Sequence, residues 1–581
     1  MPPLFDPRHG DVEDDASSPK RRSLFAIAGS LLAEISLPKL LAAWLLLIVV
    51  PGVLLGLAPL IASAWLAILS RKIITPLDGI WPLFLIVLVV ALGWVGWRPL
   101  FRIAERGFWS LNSLVVQPGY ALCREGLRHL VEHVLMRDAG PEHRARLRAA
   151  TAAGAGIVLC LLGIWIVMLA WPSSRWIGNV ADLTSPHRLL IPALANTVVV
   201  IGGYLAVSAL AWGIADAVMA QPRDLPAFDR LPAGGRVWRV AHLSDLHVVG
   251  ERFGFRIESG RSGPRGNDRL EQILEELAKI HSAEPLDHVL ITGDMTDAGR
   301  SAEWAEFLSA LSRYPELEAR TLLLPGNHDV NVVDRANPAR LDLPTSPGLR
   351  LRQMRALSAI AAVQGDKVRV VDSATGKIGR TLSATLATHA MSITEFADAG
   401  TMRLSAALSG IWAEVFPMIF PPDVEDGLGV ILLNSNAETH FSFTNALGFI
   451  SAQQASDLAV VTRQFPHAHW IVALHHHIVE YPEPVTDFSK RIGTALINGT
   501  WFMRQIQPLA NSVVAMHGHR HMDWIGECGG VRIISAPSPV MASRGNKPVH
   551  FYVHRLGVGV GGRLSLLKPE RVELPGLEVT A

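Results

Sequence analysis

The chain has 581 residues, of which 49% are hydrophobic and only 18% charged, with a mean hydropathy of +0.28. That length exceeds one ordinary globular core and that apolarity exceeds an average soluble enzyme, so at least two units are expected, one of them dissolved in something other than water. A formal charge of +1 gives no basic field of the kind that concentrates nucleic acid. Three distant cysteines, Cys123, Cys160 and Cys528, build neither a disulfide framework nor a thiolate zinc site.

Residues 1–38, rich in Asp, Glu, Pro and Ser, read as a disordered cytoplasmic tail. Lys20-Arg21-Arg22 loosely fits a twin-arginine export signal, but Glu34 and Lys39 interrupt the apolar run behind it and no small-residue cleavage site follows.

Residues 39–220 read as a membrane region with four apolar stretches, Leu40 to Leu69, Ile80 to Trp97, Ala152 to Trp171 and Leu189 to Val218. Each is long enough for the roughly 20 helical residues that cross a hydrocarbon core. Pro51-Gly52 interrupts the first, which counts as one tilted or kinked span because either half alone is too short. Trp81, Trp97, Trp171 and Trp176 stand near the ends, where an amphipathic ring prefers the headgroup level. The loop 98–151 carries nine arginines from Arg98 to Arg148, whereas the next loop has only Arg175 and Arg188. Positive loops stay in the cytoplasm, so both termini and the domain that follows are expected on that side, although Arg71 and Lys72 in the first outer loop run against the trend. The spans are almost free of ionisable residues, with Asp216 near the end of the last, which favours anchoring over transport.

Beyond Pro222 the pattern becomes that of an α/β domain over 236–570, with short apolar strands ending in polar motifs. Strands are expected at Arg236 to Leu243, Asp287 to Thr292, Thr321 to Leu324, Val430 to Leu433, Trp470 to Leu474, Val513 to Met516 and Val531 to Ser535, with a helix over Leu270 to Ile280. Seventeen of the 22 histidines lie after residue 240, several at strand ends beside carboxylates, a distribution that asks for a metal. In order these ends read Ser244-Asp245-Leu246-His247, Gly293-Asp294, Gly326-Asn327-His328-Asp329, Leu474-His475-His476-His477 and His517-Gly518-His519-Arg520-His521. Singly, Asp294 closes a turn, Asn327 suits a left-handed turn position and Asp329 caps a helix. Five blocks in this order have no such reason to recur.

Together they resemble the calcineurin-like metallophosphoesterase superfamily, over about Val237 to Leu556, and the Asn-His-Asp block and Gly-His-x-His ending look like class III cyclic nucleotide phosphodiesterases, which share this motif with many relatives of different specificity. The resemblance implies an α/β fold, a β-sandwich flanked by helices in four layers (αββα), here preceded by an all-α transmembrane region of about four helices. It implies two divalent metals drawn from manganese, iron and zinc, since hard carboxylates and neutral imidazoles suit all three. By resemblance Asp245, His247 and His521 hold the first metal and Asn327, His475 and His519 the second, with Asp294 bridging. His475 is chosen over His476 as the first polar residue after its strand, and His477 is read as structural. A hydroxide between the metals would attack phosphorus, His328 would donate to a phosphate oxygen or the leaving group, and Asp329 would orient His328.

The segment 330–427 is long for a loop and is expected to form a cap with helices over Leu351 to Val363 and Leu404 to Val415. Its Ile411-Trp412 and Phe416-Pro-Met-Ile-Phe420 would face lipid or an apolar substrate tail, or fill the cap's own core. The resulting expectation is an integral, multi-pass membrane protein whose cytoplasmic domain hydrolyses phosphodiesters or phosphomonoesters. Its partners are a small-molecule or lipid phosphoester and the bilayer, and no nucleic acid. The alternatives are a hydrolase of lipid-linked pyrophosphate or phosphate at the membrane surface and a non-catalytic metal-binding docking module; a docking module should have lost ligands, and none is missing.

Overall fold

The computed structural model describes residues 50–74, 116–135, 141–179, 187–230, 236–250, 266–333, 347–372, 375–439, 442–482, 496–541 and 548–575, with a few isolated positions between. The chain divides into two compact units, Glu34–Met219 and a second that contains Ala220–Ala581.

The first unit is helical: α1 (Val50–Ile74), α2 (Gln117–Leu135), α3 (Pro141–Ala170) and α4 (His187–Ala217). Among the described residues three helices, not four, are long and apolar enough to cross a membrane, over Val50–Ala67, His143–Ser173 and His187–Ala217. The expected span Ile80 to Trp97 lies outside the described residues. Glycines let backbones meet: a Cβ on Gly156 would come within 2.9 Å of the Cα of Gly213, which joins α3 closely to α4. Trp65, Leu161, Met168, Ile191 and Val207 point outward and are exposed, so the outer face of these helices is as apolar as the inner. Asp216, the ionisable residue near the end of α4, is buried and paired with Arg124 of α2 at 2.5 Å, while the Tyr120 hydroxyl donates to the same oxygen at 3.0 Å.

The second unit holds two sheets. One contains β2 (Val237–Leu243), β3 (His288–Ile291) and β4 (Thr321–Leu323), mutually parallel, with β13 (His550–Val558) antiparallel to β2 and both β14 (Leu564–Leu566) and β15 (Glu570–Glu573) paired to β13. The other runs β1 (Arg223–Asp224), β11 (Trp524–Cys528), β12 (Val531–Ser535), β10 (Val513–His517), β9 (His469–Ala473), β8 (Leu428–Leu432), β7 (Met418–Phe420), β5 (Arg369–Asp372) and β6 (Lys377–Thr381). Within it β8, β9, β10 and β12 are parallel. Every residue of β8, β9, β10 and β12 is buried, as expected of parallel strands covered on both faces. In the smaller sheet the crossover helix α5 (Asp268–Ala283), between β2 and β3, buries Leu270, Ile273, Leu274 and Leu277, a single stripe at helical spacing. One apolar core draws on both sheets, from Val240 and Val289 to Val430, Ile471, Val514 and Ile534. This is a mixed α/β fold.

The segment 330–427 is largely built into this body. It contributes β5, β6 and β7 to the larger sheet, and its helix α6 (Pro347–Gln364) reaches β4, where Gln364 Nε2 donates to Leu323 O at 2.9 Å. Ile411, Trp412 and Phe416 are buried in the common core. The helical pattern from Leu404 to Val415 breaks into Met402–Ala407, a short 3-10 turn and Ile411–Val415.

Candidate metal centre

Parallel strands end on the same side, and here the carboxyl ends of β2, β3 and β4 in one sheet and of β9 and β10 in the other carry the polar motifs. The chain turns sharply as it leaves each strand. Among the described residues the non-glycine residues with positive φ are Asp245 (57°), His247 (44°), Asp294 (52°), His519 (73°) and His521 (50°). Such conformations cost about 1–3 kcal/mol each and persist where surrounding contacts over-determine them. All five are sequence-derived ligand candidates. Gly293, with φ 98°, makes the close approach possible, because a Cβ there would lie 2.5 Å from His475 Nδ1 and 2.8 Å from Gly326.

Two groups of side chains result. In the first, His521 Nε2 lies 3.2 Å from Asp245 Oδ1 and 3.3 Å from His247 Nε2. In the second, His475 Nε2 lies 3.0 Å from His519 Nδ1, 3.1 Å from Asn327 Oδ1 and 3.3 Å from Asp294 Oδ2. Asp294 Oδ2 also faces the first group, 3.8 Å from His247 Nε2. Ligand atoms around a cation bound at about 2.0–2.2 Å stand about 2.9–3.5 Å apart, and the spacings within each group match.

The chemistry of the donors fits a cation as well. His475 Nδ1 donates to Thr292 O at 2.8 Å, which leaves its neutral ring with a lone pair on Nε2 aimed at three other acceptors. Without a cation, a proton has to take its place: burial alone would keep His475 neutral, yet the adjacent Asp294 and Asp245 outweigh it and raise His475 to about 9. Burial likewise opposes charge on Asp245, but His521 and His475 hold it down at about 2. Asp294, equally buried, is drawn well below the carboxylate range by His475 and His328.

His328 stands at the edge. Its Nδ1 donates to Asp297 O at 2.6 Å, and its ring meets that of His247 edge-on at 4.6 Å. Burial lowers its pKa. The Asp329 carboxylate does not reach His328. It accepts from the backbone N–H groups of Thr296 at 2.9 Å and Gly326 at 2.8 Å and from Thr296 Oγ1 at 2.7 Å, tying the turn after β3 to the turn after β4. Orientation of the His328 ring comes instead from Asp297, which the motif reading passed over. Its signal was its place three residues after Asp294, and its carboxylate lies 3.4 Å from His247 Nδ1. His476 packs behind the centre, with Nδ1 2.9 Å from Ser435 Oγ. His517 is buried against Gly518 O and Tyr481, and His242 reaches Thr292 Oγ1 at 3.0 Å.

Residues 239–391 match the model of the calcineurin-like phosphoesterase family. The chain carries a calcineurin-like phosphoesterase domain. The domain is that of a hydrolase acting on phosphoric esters, and its His and Asp groups are compatible with metal binding. The matched stretch contains the first three motifs of the phosphoesterase domain, while the histidines after β9 and β10 lie beyond it. Similar solved structures include a dimetal phosphatase from Danio rerio, 12% identical with a TM-score of 0.33, covering 58% of this chain and 99% of that one. A putative 5'-nucleotidase from Staphylococcus aureus in complex with alpha-ketoglutarate is 13% identical with a TM-score of 0.29, covering 60% of this chain and 56% of that one. The NAD nucleotidase of Haemophilus influenzae is 12% identical with a TM-score of 0.30, covering 58% and 56%. The chain thus spans little more than half the length of either nucleotidase. No curated protein matches it.

Proposed function

We propose that this protein is a membrane-anchored phosphodiesterase or phosphomonoesterase whose centre is held by Asp245, His247 and His521 on one side, Asn327, His475 and His519 on the other, and Asp294 between them. The observation that carries the reading is the convergence of these seven side chains from five strand ends, with Asp294 Oδ2 turned toward both groups. Two divalent cations held by these residues would supply charge neutralisation for a phosphate and a lowered pKa for a bound water. The chain's own residues do the rest. Thr292 O fixes the tautomer of His475, and Asp297 O fixes that of His328, so that His328 Nε2 is the ring atom left to exchange a proton with a phosphate oxygen or leaving group. Asp329 holds the two turns in register.

Anchoring rests on the three long apolar helices with apolar outer faces. With positive loops retained inside, the phosphoesterase domain faces the cytoplasm. The same helices favour, as a second reading of the substrate, a lipid-linked phosphate or pyrophosphate presented at the bilayer surface. A docking module without catalysis is disfavoured because the full ligand set is present.

The test is hydrolysis of bis(p-nitrophenyl) phosphate by full-length protein in detergent, after chelation and again with manganese, alongside Asn327→Ala. Turnover restored by metal and lost in the variant is expected. Stoichiometric metal without turnover of any soluble ester, but with turnover of a micellar one, would move the assignment to the lipid-linked substrate. A chain that binds no metal would overturn the reading.

A further inference from the structure

Arg520 stands in sequence between two ligand candidates, His519 and His521, and a guanidinium so placed opposes the binding of divalent cations unless its charge is met. Its side chain is only 5% exposed, so water does not meet it. Glu480 does: Arg520 Nη1 donates to Glu480 Oε2 at 2.8 Å. The other oxygen of that carboxylate, Oε1, lies 3.1 Å from His477 Nε2. The His477 ring in turn stacks parallel to His519, centroids 6.1 Å apart at an interplanar angle of 11°. Glu480 therefore ties the turn after β9, which carries His475, to the turn after β10, which carries His519. The same two turns also meet through the backbone bond from Gly518 N to His475 O at 3.0 Å and where His475 Nε2 approaches His519 Nδ1, again at 3.0 Å.

We infer that Glu480 is a positioning residue of the metal centre: its carboxylate neutralises Arg520 and holds His477 against His519, so that His475 and His519 face a cation with no competing positive charge. This rests on the dinuclear reading above. Glutamine at 480 retains the shape and one acceptor but removes the charge, and partners of metal-ligating histidines are typically worth about 10- to 100-fold in affinity.

The experiment is calorimetric titration of manganese into metal-stripped, full-length protein in detergent. Glu480→Gln is expected to bind manganese about tenfold more weakly or worse, and the double variant Glu480→Gln/Arg520→Met to recover most of that loss, a rescue that simple damage to the loop would not give. Wild-type affinity in Glu480→Gln, or no recovery in the double variant, would overturn the inference. Should Glu480→Gln fail to fold, Arg520→Met alone decides it: unchanged or tighter binding is expected, and a tenfold loss would count against it. Absence of manganese binding in the wild-type protein would instead strike the dinuclear reading, so the two failures are separable.

Discussion

Asp294 and His328 are joined by a backbone hydrogen bond of 2.8 Å, from His328 N–H to Asp294 Oδ1, and this bond commits one oxygen of the carboxylate to the protein. Oδ2 is left as the atom that faces both donor groups, at 3.3 Å from His475 and 3.8 Å from His247. If Asp294 holds both cations, that role would need the charge, not merely the shape, of the side chain. Asp294→Asn is therefore expected to lower bound metal from two ions to one or none per chain and turnover by on the order of 10²–10³, with the helical unit still folded. Metal analysis of the purified variant beside its rate decides it; two retained ions with normal turnover would contradict the bridging role.

Gly326 controls the same carboxylate sterically. A Cβ at this position would overlap Asp294 Oδ1 and the Asp294 backbone nitrogen, and neither the strand end nor the turn after it can yield freely. Gly326→Ala should displace Asp294 by a few tenths of an ångström or more. Misplacements approaching 1 Å cost about 10²-fold in rate, so a loss of that size in kcat is expected, together with a lower melting temperature of the metal-free protein from the clash with the Asp294 backbone. Unimpaired kcat would show that the turn relaxes.

Buried histidines predict the acid response of the phosphoesterase unit. His242 and His554 face each other across β2 and β13 with ring centroids 5.7 Å apart, and each is 1% exposed. Burial pushes His554 down to about 4, against a weaker pull from Asp523, and pushes His242 well below its ordinary range. The folded state thus keeps both neutral, whereas the unfolded chain protonates them near pH 6.5. Their contribution to stability is whole above pH 6.5 and is lost as pH falls through about 4, at about 1.4 kcal/mol per pH unit for each proton. Urea melts of the metal-stripped protein between pH 7.5 and 5 should show this decline, and His554→Leu should make it shallower by one proton. An unchanged slope in the variant would mean that His554 does not stay neutral in the fold.

Much of the fold was legible because each parallel strand is a short, continuous apolar run closed by a polar motif; Val531 to Ser535 was found to the residue. The residues that converge at the centre were legible for the same reason, since a ligand at a strand end is fixed by the strand before it. What stayed hidden depends on contacts between distant segments. β13 mixes His550, Tyr552, His554 and Arg555 into its pattern, and its burial is set by pairing with β2 and β15. The strands β5 and β6 within 330–427, Arg-Val-Val-Asp and Lys-Ile-Gly-Arg-Thr, lacked the continuous apolar run that marked the others. Asp329 looked like a partner of His328 because the two adjoin in sequence, yet the first helical turn sends the carboxylate back to the N–H groups of Gly326 and Thr296.

The ion pair in the helical unit bears on how that unit holds together. Arg124 and Asp216 meet at 2.5 Å with side chains 13% and 3% exposed, Tyr120 donates to the same Asp216 oxygen, and Arg124 also pairs at 2.9 Å with Glu125, which Arg128 meets at 2.9 Å. Removing one anion from this balanced group of two arginines and two carboxylates leaves a buried charge unmatched, at a cost of about 3–5 kcal/mol, whereas replacing a cation and an anion together with apolar groups of similar size is often neutral. Asp216→Leu should therefore lower the melting temperature of the detergent-solubilised protein markedly, and Asp216→Leu/Arg124→Met should restore most of it. Hydrolysis of a soluble ester ought to follow the wild type in both variants below their melting temperatures, because neither residue belongs to the metal centre. If the double variant melts as low as the single one, the pair stabilises α2 on α4 by its specific geometry and not by cancelling charge.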